Sequence, residues 1–306
     1  MDRVRTARSR ISAILFDLDN TLIETRKADT ITCQKISEIM TREMDIPVLD
    51  AKKACDTFLR RFRRCPENPR MQLDEWRLLL WIEALGEEYE DVAEVIYLKW
   101  RKLRYRHLAL SETKLNMLRS LHKQYQLALV SNGPSHSQWE KIRELKIAEH
   151  FDTIVVSGDL KWEKPQPEIF HRACTKLGVE PFECLMIGDK IETDIMGGFQ
   201  AEIGITMWVL PPEGAPAEKP YPPPDFIVAD VMELPGILQS GKEKARSKGL
   251  RASGKSSSSG ACSTSGASSS TSSTVAGAVG GSTATSSSTV TPATSTKVPG
   301  QAAEED

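Results

Sequence analysis

Six short apolar runs, rich in β-branched residues and separated by stretches of helical periodicity, constrain this chain more than any other feature. They are ISAILFDL (11–18), QLALVSN (126–132), FDTIVVSG (151–158), CLMIGD (184–189), ITMWVL (205–210) and DFIVA (225–229). Several are apolar at nearly every position, the pattern of strands covered on both faces. Helical spacing fills residues 112–124, 135–148, 167–177 and 192–201, with Pro167 as an early helical residue and Gly178 as a stop. Alternation of this kind builds a parallel, doubly wound α/β sheet.

One interval breaks the rhythm. From about Thr25 to Leu108 no strand is predicted, and residues 26–44, 49–64, 72–85 and 90–107 read as helices. Leu78, Leu79, Trp81, Ile82 and Leu85 form one apolar stripe, and Val92, Val95, Ile96, Leu98 and Leu103 another. Both are expected to be core. The arginines 60, 61, 63 and 64 are expected to face solvent on a helix.

Composition changes again near residue 247. Residues 252–306 hold 17 Ser and 9 Thr and no aromatic side chain. Such a segment buries too little apolar surface to offset the entropy of ordering it, so 247–306 reads as a disordered tail.

With 40 basic and 42 acidic residues the net charge is −2, which argues against a dedicated nucleic-acid binder. No apolar run approaches the roughly 20 residues that span a bilayer. The basic N-terminus lacks the apolar stretch of a secretory signal, since Asp17 and Asp19 interrupt its only such run. The six cysteines are scattered and the five histidines do not pair at metal-ligand spacing, so a zinc site is not expected. A cytoplasmic protein with reduced thiols is the expectation.

The chemistry sits at strand ends. The first strand runs into Phe16-Asp17-Leu18-Asp19-Asn20-Thr21. Residues two apart on an extended chain point to one side, so Asp17 and Asp19 are expected to present their carboxylates together, where open α/β sheets bind ligands. Such a pair needs a cation or a shared proton and suits Mg²⁺. An acidic strand–turn boundary would give the same letters. The second strand ends in Val130-Ser131-Asn132-Gly133, which reads equally as a turn. Lys164, between Glu163 and Pro165-Gln166-Pro167, stands at a helix start against the macrodipole, so a phosphate or carboxylate should hold it. A fourth strand runs into Gly188-Asp189, with Asp194 five residues on.

Together, DLDNT, SNG, the lysine of EKPQP, and GDKIETD resemble the haloacid dehalogenase superfamily of aspartyl-nucleophile phosphohydrolases over about residues 11–240. The resemblance implies a Rossmann-like core from 1–24 and 109–246 and an inserted all-helical cap at 25–108. The strands ending at Asp17, Ser131 and Asp189 would lie side by side. Asp17 would be the nucleophile and Asp19 the general acid and base. Asp17, the main-chain carbonyl of Asp19, and Asp189 would ligate Mg²⁺. Ser131, Asn132 and Lys164 would hold phosphate, with Asp194 just behind the ion. Asp19 separates phosphatases from dehalogenases, whose halide product needs no proton. The segments AILFDLDNTLIET, YLKWRKLRYRHLALSE and LMIGDKIETDIMGGFQA are most similar to the branch acting on sialic acid 9-phosphate. The alternatives are another small phosphate ester (a hexose phosphate or phosphoglycolate), a mutase, or a catalytically silent scaffold. No nucleic-acid or membrane partner is implied, and oligomeric state is open. Arg104 is the expected partner of a substrate carboxylate, because a guanidinium meets a carboxylate with paired hydrogen bonds.

Overall fold

A computed structural model describes residues 10–65, 71–212, 214 and 220–239. The tail at 247–306 and most of the basic N-terminus lie outside them. Six strands form one parallel sheet: β1 (Ala13–Phe16), β2 (Gln126–Ser131), β3 (Thr153–Val156), β4 (Cys184–Gly188), β5 (Ile205–Val209) and β6 (Phe226–Val228). Their order is β3-β2-β1-β4-β5-β6, so β1 is central, with Phe16 level with Leu129 of β2 and Ile187 of β4.

Alternate residues of the sheet feed two separate cores. Ile14, Phe16, Leu129 and Ile187 pack on one face against Met117, Leu118, Leu121 and Ile142. Ala13, Leu15, Val130 and Met186 pack on the other against Ile169, Phe170, Ala173 and Leu177. The first group comes from α5 (Glu112–His122) and α6 (Ser135–Glu144), the second from α7 (Pro167–Leu177). Burial on both sides is why these strands lack polar alternation. Pro167 opens α7, and Gly178 closes it in the left-handed conformation at φ 70°, which a residue without Cβ adopts freely.

Between β1 and α5 come four helices: α1 (Thr25–Glu43), α2 (Val48–Phe62), α3 (Leu73–Leu85) and α4 (Ala93–Leu108). They enclose a core of their own around Phe58, Trp81 and Trp100, with the Phe58 ring stacked 4.0 Å from Trp81. The arginines 60, 61, 63 and 64 face solvent as expected. The apolar stripes are only half used: Leu79, Val95 and Leu98 are exposed. α3 and α4 pack on α1 and α2 from one side, so a stripe wider than that contact reaches water.

Two helices differ from the sequence reading. The expected helix over 135–148 stops at Glu144, because Lys146 turns left-handed at φ 52° and a short turn, Ala148–His150, follows. The expected helix over 192–201 begins as one wide π turn, Ile191–Ile195, before the short α8 (Met196–Gln200). Asp194 accounts for that turn, since its carboxylate accepts a hydrogen bond from the Lys190 main chain at 3.0 Å. Among the described residues no helix is long and apolar enough to cross a membrane.

Candidate active site

Because β2, β1 and β4 are neighbours, the residues that follow them meet at one edge of the sheet. Asp17 follows β1, Ser131 ends β2, and Asp189 follows β4. All three are buried, as are Lys164 and Asp194.

Lys164 is the centre of this group. Its Nζ donates to Asp17 Oδ1 at 2.6 Å and to the Val130 carbonyl at 2.9 Å, and lies 2.7 Å from Asp194 Oδ1. Burial disfavours its charge, but the two carboxylates outweigh that and hold it protonated above its ordinary range. The carboxylates respond differently. Burial pushes the Asp17 carboxyl up; Lys164 pulls it back and Asp194 pushes it up again, to about 7. Burial and the charge of Asp194 raise Asp189 to about 6, although Arg26 lies 3.4 Å from its Oδ2. Thr21 donates to the second oxygen of Asp17 at 3.0 Å.

The loop carrying Lys164 is clamped by Asn132. The Asn132 amide donates to the Lys164 carbonyl and its oxygen accepts from the Lys164 N–H, both at 2.9 Å. One amide hydrogen of Asn132 is thereby committed, leaving the other for a ligand. Ser131 Oγ is buried with no hydrogen-bond partner among the described residues, an arrangement that costs free energy unless something docks there.

Asp17 and Asp19 take different partners, Lys164 and Thr21 for the first and α6 for the second. The strand stops at Phe16, and the chain turns through Asn20 at φ 66° just beyond Asp19. The Asp19 carboxylate faces α6. Lys141 Nζ donates to Oδ1 at 2.7 Å and Oδ2 at 2.5 Å, Gln138 donates to Oδ2 at 3.1 Å, and Thr25 to Oδ1 at 2.5 Å. Burial alone would raise this carboxyl, but Lys141 with Thr25 and Gln138 holds it well below the usual range. Sequence reasoning missed Lys141 and Gln138. Their signal was a polar pair three residues apart on an otherwise ordinary amphipathic helix.

Asp17, Asp189 and Asp194 can each bring one carboxylate oxygen within 4.8 Å of the others. Asp194, expected behind an ion, thus belongs to the cluster, whereas the Asp19 carboxylate does not. Three buried carboxylates face one buried lysine and the half-exposed Arg26. Excess negative charge presented by oxygen donors alone is the donor set of a hard divalent cation. Gly188 permits the arrangement: a Cβ there would lie 2.3 Å from Asp194 Cγ. A cavity of about 580 Å³ beside α1 reaches Asp189, Asn20 and Arg26 from outside.

Arg104, one of the basic residues within 101–106, does not face solvent. It is buried on α4, its Nε donating to Asp29 Oδ1 of α1 at 2.7 Å and its guanidinium 4.9 Å from the Phe62 ring centre.

Residues 11–202 match the family model of the haloacid dehalogenase-like hydrolases. The chain is 36% identical to N-acylneuraminate-9-phosphatase of Rattus norvegicus over 238 residues, 76% of this chain and 95% of that one. It is 28% identical to glyceraldehyde 3-phosphate phosphatase of Pyrococcus furiosus over 250 residues, 80% of this chain and 99% of that one. A solved β-phosphoglucomutase-like structure from Thermotoga maritima, 20% identical, superposes with a TM-score of 0.52 over 75% of this chain and 99% of its own.

Proposed function

The chain belongs to the haloacid dehalogenase-like hydrolases and is a phosphoric monoester hydrolase, and from that premise we propose that it removes the phosphate of N-acylneuraminate 9-phosphate with Mg²⁺ as cofactor. The observation that carries the reading is the buried grouping of Asp17, Lys164, Asp194 and Asp189 at the carboxyl edge of the sheet. The choice of substrate rests on the likeness to N-acylneuraminate-9-phosphatase, which spans nearly the whole of that protein.

In this mechanism a carboxylate oxygen of Asp17 attacks phosphorus and forms a P–O bond while the bond to the sugar oxygen breaks. Water then attacks the aspartyl-phosphate and frees Asp17. Lys164, Ser131 and the uncommitted amide hydrogen of Asn132 hold the phosphoryl oxygens. Asp19 moves the protons. Held ionised, it is ready as the base toward water. To protonate the leaving sugar oxygen it must first gain a proton from solvent, which its partly exposed carboxylate can reach, while Lys141 holds the carboxylate in place. Asp17, the Asp19 main-chain carbonyl and Asp189, with Asp194 alongside, would hold Mg²⁺, which would neutralise negative charge on the carboxylates and the phosphate. The four helices over residues 25–108 act as the cap that closes over the sugar.

Arg104 is the cap residue we assign to the sialic acid carboxylate. Apart from the bond to Asp29, its guanidinium makes no hydrogen bond to the described residues, which leaves its Nη donors uncommitted. The test is a panel of sugar phosphates that includes N-acylneuraminate 9-phosphate, with and without Mg²⁺, using wild type and Asp17→Asn. The wild type should prefer the sialic acid phosphate, and the variant should lose turnover on every ester. Arg104→Lys keeps a charge beside Asp29 but loses the fork. It should lower kcat/KM for the sialic acid phosphate roughly 10-fold or more, the value of a charged hydrogen bond, and leave an aryl phosphate nearly untouched. A flat panel would remove the substrate assignment, and equal loss on both substrates would remove Arg104 from specificity.

A further inference from the structure

The helix that grips Asp19 also grips the cap. Gln138 and Lys141 stand three residues apart on one side of α6 and hold Asp19. Glu140 and Glu144, four apart, occupy another side and meet α3 and α4. Glu140 takes a two-pronged ion pair from Arg77 of α3, Nη1 to Oε1 at 2.9 Å and Nη2 to Oε2 at 2.5 Å. Arg101 of α4 adds a second tie, 3.1 Å from Glu144 and 3.6 Å from Glu140. Arg77 is 1% exposed and the Glu140 side chain 9%. Burial acts against the charge of both, but each partner's charge and hydrogen bonds prevail, holding Arg77 above and Glu140 below their ordinary ranges.

A buried fork of this kind contributes little net stability when intact, because desolvation nearly cancels the attraction. Its leverage lies in what happens when one half is missing. With the helices seated on α6, an unpaired Arg77 would be a buried bare charge. With the helices lifted, both groups are solvated at no such cost. We infer that Glu140 is a positioning residue: through Arg77 it holds the four-helix segment down on α6, and so couples the seating of that segment to the helix that aims Asp19. The inference rests on the reading of Asp19 as the proton-handling group.

The experiment compares wild type, Glu140→Gln, Arg77→Met and the double variant by kinetics on N-acylneuraminate 9-phosphate and by hydrogen exchange read by mass spectrometry. Glu140→Gln preserves shape and strands Arg77, so kcat/KM should fall about 10- to 100-fold, tempered by Asp74, which stays 3.5 Å from Arg77. Exchange should quicken in α3, α4 and α6 while β1, β2 and β4 stay protected. The double variant, with neither charge buried, should regain most of the activity and protection lost by Glu140→Gln. Three results would overturn the inference: wild-type kinetics and exchange in Glu140→Gln, a double variant no better than Glu140→Gln, or loss of protection in the β-strands as well. If the phosphatase reading itself failed, wild type would be inactive on the ester, yet the exchange comparison would still decide whether Glu140 seats the helices.

Discussion

Replacing Lys141 by Met removes a charge at nearly constant volume and tests the least expected contact of the site. Lys141 Nζ lies within 2.7 Å of both Asp19 oxygens, and the lysine side chain is 6% exposed against 26% for Asp19. Breaking a fully buried pair costs about 3–5 kcal/mol. Asp19 is partly wet and keeps Thr25 and Gln138, so the expected cost is that of one hydrogen bond to a charged group, about 1.5–3 kcal/mol. Urea unfolding at pH 7 should show that loss. The sign of its pH dependence follows from the depressed Asp19 carboxyl. Stability from a lowered carboxylate pKa is complete above the unfolded value of 3.8 and is lost as pH falls towards the folded one. The gap between wild type and Lys141→Met should therefore be full at neutral pH and close below about pH 4. Turnover of an aryl phosphate should fall roughly 10- to 150-fold, as Asp19 loses the contact that aims it. Equal stability at pH 7 together with equal kcat would refute the claim that this pair supports the site.

Gly188→Ala should unseat Asp194 and with it one of the two carboxylate partners of Lys164, because the added Cβ would fall 2.3 Å from Asp194 Oδ2; overpacking of this kind costs about 1–3 kcal/mol, and kinetics should show a larger loss in kcat than calorimetry shows in stability. The raised carboxyls of Asp17 and Asp189 predict that, without metal, their contribution to stability is full below pH 3.8 and is lost as pH rises through about 6 to 7. Mg²⁺ should therefore raise the melting temperature more at pH 7.5 than at pH 5, and a shift independent of pH would contradict the assignment of these carboxylates to the ion.

What could be read from the sequence is what local patterning encodes. The β1 run predicts a strand buried on both faces, and Ile14 and Leu15 do lie in cores on opposite sides. Asp17 and Asp189 stood out because each follows an apolar run, and Lys164 because a proline pair follows it, while their grouping came from the family resemblance. Lys141 did not stand out, since its meaning depends on Asp19, more than a hundred residues earlier, and on the angle at which α6 crosses the strand ends. Arg104 shows the same limit. Its type announced a partner, but the partner observed is Asp29 on a neighbouring helix. Leu79 and Leu98 mark a third limit: periodicity says which side of a helix is apolar, not how much of it a neighbour covers.

The order of the strands has a consequence for synthesis. β1 emerges from the ribosome first, yet its places in the sheet are beside β2 and β4. At about 5–20 residues per second, its Ala-Ile-Leu-Phe waits roughly 5–20 s for the first of these partners. The helices over 25–108 are made in that interval. They share a core around Phe58, Trp81 and Trp100 to which no strand residue contributes, and contacts of short sequence separation form fast. The site comes together last: Asp17 is the first of its residues to be made, and Asp194, whose carboxylate completes the clasp on Lys164, is the last of them. A nascent chain that stalls before β4 has emerged therefore carries Asp17 without Asp189 and Asp194. Such unfinished copies lack part of the cluster and leave open the side of β1 that β4 would cover.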